Sequence, residues 1–176
     1  MIIGNKDFEI GKRTYIMGIL NVTPDSFSDG GRFNDISAAI NRAKIMVAEG
    51  VDIIDIGGES TRPGHEDVSE EEEIKRVVPI IRELKKQLDI PISVDTYKGK
   101  VAELAIRAGA DMINDIWGFK MDPYIAVVAA KYNVPCCLMH NRDNKNYKNL
   151  MQDIINDLGE SIIIALRSEE HTSELQ

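Results

Sequence analysis

Short runs of apolar residues alternate five times with amphipathic stretches along this chain. Each apolar run is continuous and is followed by glycine or polar residues. Continuous runs of this length are typical of parallel strands that are covered on both faces. The predicted strands centre on residues 16–22, 52–56, 92–96, 112–116 and 136–140. Before them, residues 2–10 alternate weakly around a Gly-Asn-Lys-Asp stretch, which predicts a short hairpin.

The amphipathic stretches carry the end signals of helices. Ser69 precedes a run of glutamates, so it predicts an N-cap and a capping box. Asp122 and Pro123 predict a second cap, followed by a first-turn proline. Gly50 and Gly109 stand where a helix needs a left-handed residue at its end. The sequence therefore predicts five βα units in one domain.

Such a series forms either an open doubly wound sheet or a parallel barrel. No G-x-G-x-x-G follows the first strand, which argues against a dinucleotide-binding sheet. Polar residues instead follow every strand, and that is where a TIM barrel has its active site. These residues are Asn21, then 57–61, Asp95 and Thr96, Asn114 and Asp115, and His140. The predicted fold is α/β, an incomplete (β/α)8 TIM barrel of about five units with an N-terminal hairpin.

Composition and charge restrict the partners and the location that the protein can have. The chain carries 21 Lys and Arg against 29 Asp and Glu, for a net charge of −8, which does not suit nucleic acid or an anionic membrane. Cys136 and Cys137 are neighbours on a predicted strand, so they point to opposite faces and are poorly placed to pair. No apolar run has membrane-spanning length and no signal pattern opens the chain. We therefore expect a reduced cytoplasmic location.

Two motifs carry a specific resemblance. Residues 17–31 read M-G-I-L-N-V-T-P-D-S-F-S-D-G-G, and residues 52–64 read D-I-I-D-I-G-G-E-S-T-R-P-G. They resemble the first and second signatures of the dihydropteroate synthase family, in the family's order and with a helix-length spacer. The resemblance implies condensation of 6-hydroxymethyl-7,8-dihydropterin pyrophosphate with p-aminobenzoate in folate biosynthesis. It also implies Mg²⁺ as cofactor, a homodimer, and an enzyme that sulfonamides target.

Asp95, Asn114 and Asn21 are candidate binding residues. A carboxylate at Asp95 can accept both adjacent N–H donors of a pterin edge, and Asn114 offers a donor and an acceptor to a mixed edge. By resemblance both are pterin contacts, and Asp95 is also assigned a catalytic role. Otherwise, Asp95 would be a helix cap and Asn114 a core turn contact. By resemblance Asn21 matches the family's magnesium contact. One amide oxygen is a plausible anchor, because Mg²⁺ binds through few protein oxygens plus substrate phosphates. The alternative is that Asn21 only forms a turn at the strand end.

The second signature supplies the candidates for the leaving pyrophosphate and the amine. Arg62 has the planar fork that matches phosphate oxygens, and we assign it a catalytic and binding role. By resemblance Thr61 lies beside the substrates and Pro63 shapes the p-aminobenzoate pocket. Phe27 of the first signature would pack against that aromatic ring.

The fifth strand ends in two further candidates. Met139 is assigned by resemblance to the pterin face. His140 is more simply a structural histidine, because the reaction needs no strong acid or base once metal and arginine stabilise the leaving group.

The chain divides at residue 166. Residues 1–166 form the predicted pterin-binding domain, whereas residues 167–176 resemble the translation of a sequencing-library adapter, and we expect them to be non-native. The family's later strands bring further substrate contacts, so we expect this chain to be inactive alone. The alternatives are a non-catalytic pterin-binding fragment and a pterin-dependent methyltransferase of the corrinoid type.

Overall fold

Strands and helices alternate along the chain in the computed structural model, which describes residues 1–23, 32–59 and 67–173. The strands are β1 (Ile2–Ile3), β2 (Lys6–Asp7), β3 (Met17–Asn21), β4 (Ile53–Gly57), β5 (Ile92–Asp95), β6 (Met112–Asp115) and β7 (Cys136–Leu138). The helices are α1 (Arg32–Ala48), α2 (Glu70–Gln87), α3 (Gly99–Ala108), α4 (Tyr124–Tyr132) and α5 (Leu150–Ser173). All five predicted βα strands are confirmed, with ends that differ by one or two residues.

The main sheet keeps the order of the chain. Its five strands lie in the order β3-β4-β5-β6-β7, and every neighbouring pair is parallel. Each crossover therefore leads to the adjacent strand, as in a barrel, whereas a doubly wound sheet reverses direction at a switch point.

The two faces of the sheet have different partners. Ile54, Ile56, Val94 and Ile113 are completely buried and belong to the large core that the sheet forms with the helices. We call this the helix face. The alternate residues point the other way, and we call their side the inner face. The helices thus pack on one face of the sheet only, as they do on the wall of a barrel. The predicted incomplete TIM barrel is confirmed in this topology.

The predicted N-terminal hairpin is present and covers one end of the inner face. β1 and β2 pair antiparallel. Ile3 and Phe8 from this segment are buried in a second small core with Ile53 and Met112, from the N-terminal ends of β4 and β6. The hairpin therefore closes the N-terminal end of the inner face and leaves its C-terminal end for a site.

The sequence predicted that every strand is buried on both faces, and this is wrong for the two outer strands, β3 and β7. All five residues of β4 are buried, but Ile19 of β3 is 63% exposed and Cys137 of β7 is exposed. Within the described residues β3 and β7 each pair on one side only. Their inner-face side chains therefore lack the neighbours that a closed barrel would supply.

Helix ends follow the sequence signals closely. Ser69 Oγ accepts a hydrogen bond from the backbone N–H of Glu72, and Gly109 is left-handed with φ 117°. α4 begins at Tyr124, so Pro123 rather than Asp122 occupies its N-cap. Asp122 instead accepts from the N–H groups of Tyr124 and Gly99, which joins the starts of α4 and α3.

The last helix runs through most of the segment that the sequence marked as non-native. α5 continues from Leu150 to Ser173 without a break. The boundary at residue 166 therefore has no counterpart in the backbone, and the non-native origin of residues 167–176 stays a prediction. Within the described residues no helix is both long enough and apolar enough to cross a membrane.

Candidate active site

One row of the sheet gathers the predicted polar residues. Asn21 pairs with Gly57, Gly57 with Asp95, and Asp95 with Asn114 across β3 to β6. Register partners in a parallel sheet point to the same face, so these residues lie side by side on the inner face. The row stands at the C-terminal ends of the strands, where barrel enzymes place their sites. Cys137 of β7 continues the row beside Asn114.

Gly57 leaves a gap in the middle of this row. A Cβ on Gly57 would stand 3.4 Å from Asn21 Oδ1 and 3.6 Å from Asp95 Oδ2. The two oxygens therefore flank bare backbone, and a flat ligand can approach the sheet closely there. Asn21 and Asp95 therefore lie on the same side of the sheet.

Asp95 lies in an unusually acidic surrounding. Burial raises its pKa to about 7, and the charges of Asp55, Glu73 and Asp115 add to that rise. A carboxyl group with this pKa changes charge near neutral pH, so nearby N–H donors would stabilise its ionised form. A heterocycle edge with two such donors suits it.

Asp95 is not a helix cap in this structure. Thr96 Oγ1 accepts the hydrogen bond of the Lys98 backbone N–H at 3.2 Å, just before α3 begins. Lys98 is the N-cap of α3 and makes no side-chain capping bond, and Gly99 donates its N–H to Asp122 instead. The Asp95 carboxylate therefore stays on the inner face beside Gly57.

Asn114 is held by a residue that the sequence analysis did not single out. Its Nδ2 donates to Asp55 Oδ2 at 3.0 Å, from β6 across β5 to β4. Asp55 is 3% exposed, and burial raises its pKa, opposed by Ser93 and Asn114. Its signal in the sequence is an ionisable residue inside the otherwise apolar run Ile53–Gly57.

A buried ion cluster, also missed by the sequence analysis, lies next to the site. Lys98 Nζ contacts Glu59 Oε2, donates to Glu73 Oε2 at 2.6 Å and to the Val68 carbonyl at 2.6 Å. Burial raises the pKa of Glu73. For Glu59, burial is outweighed by the combined contacts of Lys98, Tyr97 and Val68, and its pKa is lowered. The cluster ties the segment after β4 and the start of α2 to the turn after β5. The sequence around Lys98 gives no signal that this lysine pairs with Glu59 and Glu73.

Asp115 holds the turn that follows β6. It is 1% exposed and accepts from the backbone N–H groups of Trp117 at 2.8 Å and Phe119 at 2.7 Å. Phe119 is left-handed, with φ 68°, and this non-glycine conformation is stabilised by the Asp115 hydrogen bond. Asp115 is therefore structural, on the opposite face from Asn114.

The end of β7 carries Met139 and His140. Met139 is 47% exposed, and its N–H donates to the Asp115 carbonyl at 3.1 Å, so it continues the strand spacing onto the inner face. His140 Nε2 lies 2.7 Å from Asp157 Oδ2, and Arg142 Nε donates to the same oxygen at 2.5 Å. These contacts tie the β7–α5 segment to α5, which fits the structural role expected for His140.

Phe27, Thr61, Arg62 and Pro63 lie outside the described residues, so their predicted roles stay predictions. Within the described ranges no group of three or more His, Cys, Asp or Glu side chains could hold a metal ion. A cage built from protein carboxylates is therefore absent there. Asn21 is exposed at the strand end, and an amide oxygen suits a hard cation that takes most of its ligands from phosphate and water.

Comparison with known proteins gives one consistent result. The family model for "Pterin binding enzyme" matches residues 17–174. The chain is 72% identical over 165 residues to a dihydropteroate synthase of Clostridium beijerinckii, covering 94% of this chain and 61% of the relative. It is 57% identical over 157 residues to that of Bacillus subtilis, covering 89% and 55%.

Solved structures agree. A Clostridium difficile dihydropteroate synthase determined in the presence of pteroic acid superposes with TM-score 0.89 at 56% identity, over 92% of this chain and 62% of that one. A Xanthomonas albilineans dihydropteroate synthase with 4-aminobenzoic acid gives TM-score 0.82 at 42% identity, over 90% and 58%. The chain thus spans about three fifths of the length of these relatives.

Proposed function

The chain belongs to the pterin-binding enzyme family, and on that basis we propose that it supplies the pterin half of a dihydropteroate synthase site. The reaction would condense 6-hydroxymethyl-7,8-dihydropterin pyrophosphate with p-aminobenzoate and release pyrophosphate. The observation that carries this proposal is the row Asn21, Gly57, Asp95 and Asn114, aligned by register at the C-terminal edge of the sheet.

Each member of the row has a task in this reaction. The ionised Asp95 carboxylate accepts two neighbouring N–H groups of the pterin, and Asn114 complements an edge that has both a donor and an acceptor. Gly57 lets the ring system approach the backbone between Asn21 and Asp95, whose oxygens stand 3.4 Å and 3.6 Å from its ideal Cβ position. Met139 offers apolar contact to the ring face. Bidentate pairing and stacking together fix the plane of the heterocycle, which orients its methylene carbon for attack by the amine.

The diphosphate end needs positive charge. Arg62 would bind phosphate oxygens and stay charged at any working pH. Mg²⁺, held by Asn21 Oδ1 together with substrate and water oxygens, supplies further charge neutralisation when bound. Thr61, Pro63 and Phe27 are assigned to substrate binding with Arg62. Magnesium and a homodimer rest on the family resemblance, whereas a cytoplasmic location rests on the cysteine and apolar patterns of the sequence. All three stay predictions.

Turnover is proposed to require more than this chain. The chain covers 61% of the Clostridium beijerinckii relative, and β3 and β7 have no second neighbour among the described residues. A ring of side chains from all strands of a barrel normally surrounds the substrate. The 176-residue chain is therefore expected to bind pterin weakly and to form no dihydropteroate.

The test compares the 176-residue chain with a chimera in which the remaining part of the Clostridium beijerinckii relative follows residue 166. Both are incubated with pterin pyrophosphate, p-aminobenzoate and Mg²⁺, and dihydropteroate is measured by chromatography. The chimera should form product, and its Asp95→Ala variant should lose at least a hundredfold in kcat/KM. A chimera that folds but neither binds pterin nor turns over would refute the proposed function.

A further inference from the structure

Asp55 is a buried carboxylate whose position does not serve stability. It stands on the inner face of β4, between the completely buried Ile54 and Ile56, one inner-face position before Gly57. Within the described residues its Oδ1 accepts no hydrogen bond of good geometry, and only its register neighbour Ser93 and Asn114 stand close enough to favour its charged form. An ionised group with so few partners costs several kcal/mol to bury. An apolar residue at this position would serve stability better, so another role must account for the carboxylate.

The contact that Asp55 does make points to the site. Asn114 Nδ2 donates to Asp55 Oδ2 at 3.0 Å. An ionised carboxylate has acceptors but no donor, so it can pair with the NH₂ end of a carboxamide and not with its oxygen. Asp55 therefore selects one of the two flips of Asn114. The carbonyl oxygen and the second N–H of Asn114 are left as a parallel acceptor–donor pair.

We propose that Asp55 is a positioning residue that fixes the amide of Asn114 and thereby selects a 2-amino pteridine over its 2-oxo counterpart. This inference rests on the proposed pterin site. The edge of a 2-amino-4-oxopteridine has a ring nitrogen acceptor beside an amino donor, and the fixed amide pairs with both. The 2,4-dioxopteridine has an N–H donor beside a carbonyl acceptor there, so it needs the opposite flip of Asn114. The Asp55 carboxylate opposes that flip, because it would bring two acceptor oxygens together.

The test measures dissociation constants of two ligands by fluorescence titration of the 176-residue chain. The ligands are pterin, which is the parent 2-amino-4-oxopteridine, and lumazine, which is the parent 2,4-dioxopteridine. The unsubstituted chain should bind pterin at least tenfold more tightly than lumazine. Asp55→Asn should reduce that ratio about tenfold, because an asparagine both donates and accepts and so supports either flip of Asn114. Asp55→Ser, which also donates and accepts, should reduce the ratio in the same direction if Asp55→Asn does not fold.

Asp111→Asn is the matched control. The Asp111 carboxylate accepts from the Ile92 N–H at 2.9 Å and from Lys85 at 2.9 Å, at the opposite end of the same sheet. Its loss should lower stability and leave the pterin-to-lumazine ratio unchanged. If Asp55→Asn weakens both ligands equally, its role is only structural and the inference is wrong. If the unsubstituted chain shows no preference, the inference also fails, while product formation by the chimera would leave the proposed function intact.

Discussion

Lys98 Nζ lies 2.6 Å from Glu73 Oε2, with 12% of the lysine side chain and 1% of the glutamate side chain exposed. Its second carboxylate partner, Glu59, is 4% exposed. One cation thus holds two buried anions beside the site. Removing one partner of such a cluster leaves uncompensated charge, and this costs more than the intact cluster contributes.

Lys98→Met should therefore lower the free energy of unfolding by about 3–5 kcal/mol at neutral pH. Lys131→Met is the control, because the Lys131–Glu103 pair is half exposed at the lysine, and exposed pairs contribute about 0–1 kcal/mol. Urea titrations followed by circular dichroism measure both. Similar losses for the two variants would show that the Lys98 cluster is no stronger than a surface pair.

The raised pKa of Asp95 predicts a pH dependence of stability. In the unfolded chain Asp95 ionises near its ordinary value of 3.8, whereas in the folded chain its pKa is about 7. The stability associated with this group is therefore complete below pH 3.8 and is lost as pH rises towards and through 7. Asp95→Asn should remove this loss and stabilise the ligand-free chain at pH 8 by about 2 kcal/mol, a value discounted for partial solvent access. Unfolding midpoints at pH 5 and pH 8 measure it. If the unfolding midpoints of the variant and the unsubstituted chain differ by the same amount at both pH values, the raised pKa of Asp95 is contradicted.

Gly57 and Gly58 should respond oppositely to alanine. Gly57→Ala places a methyl group between Asn21 Oδ1 and Asp95 Oδ2 at ordinary contact distances of 3.4 Å and 3.6 Å. Stability should change by less than about 1 kcal/mol, because alanine also restricts the unfolded chain. Pterin affinity should fall at least tenfold, because the methyl group fills the space where the ring approaches.

Gly58→Ala is the counterpart. Its Cβ would stand 2.8 Å from Val77 Cγ1 and 2.9 Å from Glu73 Cγ, inside the core. Overpacking of this kind costs about 1–3 kcal/mol. Thermal melts and pterin titrations of both variants separate the effects. If Gly57→Ala destabilises the chain and leaves affinity intact, the gap at Gly57 is not a ligand position.

Asp115 predicts a purely structural loss. Asp115→Ala leaves the N–H groups of Trp117 and Phe119 without their acceptor, and each unpaired buried donor costs about 1–3 kcal/mol. The expected loss is about 3 kcal/mol in unfolding free energy. Pterin affinity in the folded fraction should be unchanged or raised, because the charge of Asp115 adds to the high pKa of Asp95. Calorimetric melts and pterin titration measure the two effects. A selective loss of affinity without destabilisation would place Asp115 in the site instead.

The sequence predicted the site residues at the strand ends better than it predicted the residues that hold them in place. Asn21, Asp95 and Asn114 end apolar runs, and parallel pairing brings strand ends together, so their alignment was predictable. Asp55 was missed because it stands inside a strand, where its partner on β6 depends on register. Lys98 was missed because its partners come from α2 and from the end of β4, 25 and 39 residues away. Pairings at that separation depend on helix packing that local patterns do not encode.

The order of the main sheet bears on how the protein is made. Since β3 to β7 lie in chain order, each new βα unit adds to the exposed side of the last one, and none has to insert between strands already joined. A nascent chain emerging from the ribosome can therefore assemble this wall vectorially, one unit at a time. The row from Asn21 to Asn114 would be complete as soon as β6 docks, before β7 adds Met139 beside it.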